Sequence, residues 1–115
     1  MNETTLKVLK PTTIEDGIHQ GLITDVTLRK VINETYEYID VHIQLDDSKT
    51  ILKASYPANM MIQSKLGQLV SRFGAELQED KDIDVSLIKG ERCSFITLIK
   101  GKFANVVIDS VKPIA

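Results

Sequence analysis

Tyr36-Glu-Tyr-Ile-Asp-Val-His-Ile-Gln-Leu45 carries the clearest alternation in the chain. Ile39, Val41, Ile43 and Leu45 fall on one side of an extended backbone. Tyr36, Tyr38, Asp40, His42 and Gln44 fall on the other. A period of two marks a strand with one face on a core and one face in water. This segment therefore predicts a half-buried antiparallel strand with an aromatic and polar outer surface.

Working outward, the segments on either side also read as strands. From Gly17 to about Leu28, Ile18, Leu22, Val26 and Leu28 share one side, while His19, Asp25 and Thr27 share the other. Gly21 lies inside that run, where a strand glycine suggests a bulge or sharp bend. A turn is expected at Asn33-Glu34 and another at Asp46-Asp47-Ser48-Lys49, with a third strand over Thr50–Tyr56. Pro57 ends that strand. Leu66, Leu69, Val70 and Phe73 then recur at helical spacing, predicting one helix from about Ser64 to Phe73. Ser64 suits its N-cap and Gly74 its stop. Ile83–Ile88 suggests a short helical turn. Arg92–Ile99 and Phe103–Val111 read as two closing strands joined through Lys100-Gly101-Lys102.

The expected order is β-β-β-α-β-β. Five strands with a helix between the third and fourth match a mainly β OB-fold, a five-stranded Greek-key barrel. A two-layer α+β sandwich fits the same order. With 115 residues the chain forms one domain, residues 1–14 being an N-terminal arm or irregular lead-in.

Composition narrows the function classes. Hydrophobic residues make up 43% and charged residues 26%, enough for one core and ordinary for a globular chain. The formal net charge is -2, so a polyanionic partner would need cations sorted onto one face. Cys93 is the single cysteine and reads as a small buried hydrophobe. No segment reads as a signal peptide or membrane span, which makes the cytoplasm the expected compartment, that of the host cell for a phage-encoded chain. No cofactor is expected. His19 and His42 do not form a metal pair, no nucleophile elbow or phosphate loop is present, and Asp46-Asp47 and Glu79-Asp80 fall in polar turns. A non-catalytic binding protein is the expectation.

Ser64-Lys-Leu-Gly-Gln-Leu-Val-Ser-Arg-Phe-Gly74 resembles the helix of small phage-type and prophage-encoded OB-fold proteins. Leu87-Ile-Lys-Gly-Glu-Arg-Cys-Ser-Phe95, followed by Lys100-Gly-Lys-Phe-Ala-Asn-Val106, resembles the closing hairpin of the same group. The likeness covers most of residues 17–113. It implies an OB-fold and single-stranded DNA binding during phage replication or recombination, with replication or recombination proteins as further partners.

An OB surface of this kind uses the outer face of strands two and three, framed by two loops. Tyr36, Tyr38 and His42 offer flat side chains at every second residue for base stacking. Arg29 and Lys30 open the first framing loop, which runs to Thr35. Lys100 and Lys102 form the second, with Phe103 beside it. Lys53 joins the face if it is out of phase with Leu52 and Ala54. Asp40 shares the face and would repel phosphate. Exposed tyrosines are also ordinary cross-strand packing partners, and Phe103 could equally be core. Arg72 reads as a surface residue on the helix flank, and Met60-Met61-Ile62 as core filling or a homodimer contact. The competing function is a protein-interaction module on the same scaffold.

Overall fold

The alternation of residues 39–45 is realised in full: Ile39, Val41, Ile43 and Leu45 are all buried. In the computed structural model, which describes residues 17–31, 36–46, 48–101 and 103–114, they line β2, Glu37–Leu45. β2 lies between β1, Gly17–Lys30, and β3, Ile51–Pro57, in an antiparallel meander. After α1, Lys65–Arg72, come β4, Arg92–Lys100, β5, Phe103–Val106, and the two-residue β6, Lys112–Pro113.

The protein is mainly β, with the one α-helix between β3 and β4 as expected. The strands lie in the order β3-β2-β1-β4-β5, with β6 on β4. The sheet is open. β3 and β5 approach each other, but no ladder joins them among the described residues.

The described residues form six strands where five were expected, and two further expectations about strands need correction. The run Phe103–Val111 is not one strand, because β5 ends at Val106 and Ile108–Ser110 forms a 3-10 turn. The turn is held from β4, where the Ile96 N–H donates to Ser110 Oγ at 2.8 Å. Side-chain hydrogen bonds instead tie β3 and α1 to the segment that follows β5. The Tyr56 hydroxyl donates to the Ile108 carbonyl at 2.8 Å, and Arg72 Nε donates to the Val111 carbonyl at 2.7 Å. Arg72 is thus a tie between helix and C-terminal segment, not a free surface cation.

The second correction concerns β1. Its register on β2 slips between Ile23 and Asp25, leaving Thr24 as the extra residue of a bulge. The slip inverts which side chains face inward. Ile23 is fully buried, whereas Ile18 is 78% exposed and Leu22 is also exposed. His19 stacks on the buried Phe95 instead of facing outward, with ring centroids 6.0 Å apart. Leu28 has the expected phase but is exposed. Gly21 serves close approach, three residues before the bulge. It pairs with Leu45 on one side and Cys93 on the other, and a Cβ there would stand 2.4 Å from the Gln44 carbonyl oxygen.

The helix follows its sequence signals. Ser64 Oγ accepts from the Gly67 N–H at 3.0 Å, and Gly74 takes the positive φ of 95° that favours glycine. Leu66, Leu69 and Val70 are buried against the core, with Phe73 partly so. Met60 packs beside them while Met61 and Ile62 are exposed. Cys93 is buried, and burial first, then the charge of Asp46, pushes its thiol up to about 11. It is a protonated core residue at neutral pH.

Candidate functional site

Cross-strand pairing converts the outer face of the meander into three rows. Arg29, Tyr38 and Pro57 form one, Thr27, Asp40 and Ser55 the next, and Asp25, His42 and Lys53 the third. Burial of Ala54 and Tyr56 sends Lys53 and Ser55 outward, as the candidate role of Lys53 required. Five residues from the expected set therefore lie on or beside one face: Arg29, Lys30, Tyr38, His42 and Lys53.

Asp40 organises the middle of that face. Although its side chain points away from the core, the residue is only 3% exposed. Arg29 Nε donates to its Oδ2 at 2.8 Å and Arg29 Nη2 to its Oδ1 at 3.4 Å. The Ser55 hydroxyl donates to Oδ1 at 2.7 Å, and Lys53 Nζ stands 3.9 Å from Oδ2. Burial pushes the Asp40 carboxyl up. The hydrogen bonds from Arg29 and Ser55 and the charges of Arg29 and Lys53 outweigh it, leaving the group below its ordinary value. The same contacts set the arginine: its guanidinium lies 4.9 Å from the Tyr38 ring centroid, within cation–π range.

His42 is also engaged. Its Nε2 lies 3.1 Å from Thr27 Oγ1, and the bulge residue Thr24 donates to its carbonyl at 3.3 Å. Lys30 Nζ is 3.7 Å from Glu37, and Lys89 Nζ is 3.8 Å from Asp25. Each cation expected on this side of the sheet stands near a carboxylate, which sequence spacing alone did not convey.

Tyr36 precedes β2 and is 62% exposed. Phe103, which core packing could have claimed, is 73% exposed opposite Lys100 at the end of the β4–β5 ladder. Lys100 has no ion pair among the described residues. No hydrogen bond, ion pair or ring contact among them ties Lys100 or Phe103 to the Asp40 cluster. Lys102, residues 32–35 of the first framing loop and the N-terminal arm lie outside the described residues.

Ser55 and Thr27 were not expected to take part. Their signal is positional, since each sits directly across from Asp40, and it becomes readable only once the register is known. Among the described residues, no three His, Cys, Asp or Glu side chains are placed to hold a metal ion, and no helix is long and apolar enough to cross a membrane. No protein-family model matches the chain, and no curated protein matches it.

Proposed function

We propose that this chain is a non-catalytic single-stranded DNA-binding protein of OB type, acting in phage or prophage DNA replication or recombination. The strand order, with β1 pairing β2 through one part of its length and β4 through the other, supports an OB-like barrel in which the Tyr56 side chain ties β3 to the turn that follows β5. The observation that carries the reading is the Arg29 guanidinium held over Tyr38 on an outward sheet face, with His42 and Lys53 paired two rows further along. Rings supply surfaces for bases, and cations supply partners for phosphates.

Fluorescence anisotropy with labelled oligo-dT and a matched duplex, over a salt series, tests this. The expected result is preferential binding of the single strand that weakens as salt rises. Tyr38→Ala should cost about 1–3 kcal/mol of affinity, the range of one stacked base, and leave the salt slope unchanged. Absence of binding at low salt would remove the DNA reading.

The protein-interaction reading draws on a different observation. Ile18 and Ile96 pair directly, Leu98 continues the same outward row, and Phe103 lies on β5 diagonally across from it, opposite Lys100. All four are exposed. Concentration-dependent sedimentation of the chain alone, with no affinity for oligo-dT, would favour that reading and a homodimer over DNA binding.

A further inference from the structure

We infer that Asp40 is a positioning residue for the binding face, promoting capture of a polyanion although it carries the same charge. The inference rests on the single-stranded DNA reading and adds the device that presents Arg29. Asp40 engages Nε and Nη2 of the guanidinium, leaving Nη1 with no hydrogen bond among the described residues. A guanidinium held on one edge by a carboxylate and over one face by Tyr38 keeps its other edge for a second planar anion such as a phosphodiester. Arg29 thereby loses its rotamer freedom during folding, so binding does not bear that cost.

Electrostatics does not oppose this role strongly. Asp40 is almost wholly covered, and Arg29 and Lys53 both face it, so two cations stand against one carboxylate. Ser55 fixes the carboxylate from β3 in turn, which ties the device to three strands. A lone arginine on a strand would hold its fork in no fixed plane.

The test is the sign of one substitution. Asp40→Asn removes a negative charge from the face, so simple repulsion predicts tighter binding to oligo-dT. Positioning predicts binding about threefold to tenfold weaker, because the arginine fork must then be ordered at each encounter. Arg29→Lys retains the charge and loses the fork, and it should weaken binding to a similar degree. The double variant should be little worse than either single one, because the two residues act as one unit. Circular dichroism and thermal melts establish that each variant is folded. Unchanged or tighter binding by folded Asp40→Asn overturns the inference and leaves the DNA reading standing. If Asp40→Asn does not fold, unchanged affinity in Arg29→Lys overturns it instead. A wild-type chain that ignores oligo-dT removes both.

Discussion

Asp40 is outward-facing by its phase in β2 and interior by its accessibility. A carboxylate withdrawn from water stays charged only where hydrogen bonds and cations replace the lost hydration. Arg29, Ser55 and Lys53 do so, from positions far from Asp40 in the chain. The consequence is a defined pH dependence. The folded-state pKa of Asp40 lies below its ordinary value, so its stabilising contribution is fully present above about pH 5 and fades as pH falls through about 4 towards the folded pKa. Urea midpoints of wild type and Asp40→Asn should differ by a constant amount between pH 5 and 7 and converge below about pH 4. A gap that persists unchanged at pH 2.5 would show that the carboxylate is not stabilised in the fold. At this scale the sequence was half legible. Alternation placed Tyr38, Asp40 and His42 on one face, but the partners that bury Asp40 come from register, which local pattern does not encode.

The elements differ in legibility for a similar reason. β2 and α1 each bury one uninterrupted face, so period and cap residues sufficed to find them. In β1 the bulge at Thr24 shifts the inward set by one residue, and a period-two reading carried across it reverses Ile18, Leu22 and His19. Gly21 was visible as a special position, but its role depends on how near β2 comes. A Cβ on Gly21 would also stand 2.8 Å from Ile43 Cγ2, and the neighbouring Gln44 oxygen is backbone that cannot rotate aside. Gly21→Ala should therefore cost about 1–3 kcal/mol in urea denaturation, the usual penalty of overpacking. Equal midpoints for the two proteins would mean that β1 and β2 do not approach so closely. Val106, Val107, Ile108 and Val111 favour strands individually, so the break after Val106 was hidden, being imposed by Ser110 and by the tie from Tyr56.

At the scale of the whole molecule, element order could be read locally, whereas closure could not. The sheet is open, and among the described residues β3 meets the C-terminal segment through the Tyr56–Ile108 hydrogen bond, across a separation of 52 residues, without a ladder. Charge raises the same issue of local against global. The formal net charge is -2, and Arg29, Lys30 and Lys53 each stand within 4 Å of a carboxylate, so neither the total nor these three cations favour a polyanion strongly. Lys100 is different, being exposed beside the exposed Phe103 with no ion pair among the described residues. If a single strand runs from the Tyr38 face to the β4–β5 end, Lys100 should release counterion on binding more fully than the paired cations do. Lys100→Ala should then lower the slope of log affinity against log salt by about 0.7, the value of one phosphate contact with single-stranded nucleic acid. Lys30→Ala should change it less, because Glu37 already neutralises that lysine. Anisotropy titrations from low to moderate salt measure both slopes. Equal reductions would show that the ion pairs open freely on binding. No reduction for Lys100→Ala would confine the bound strand to the β1–β3 face.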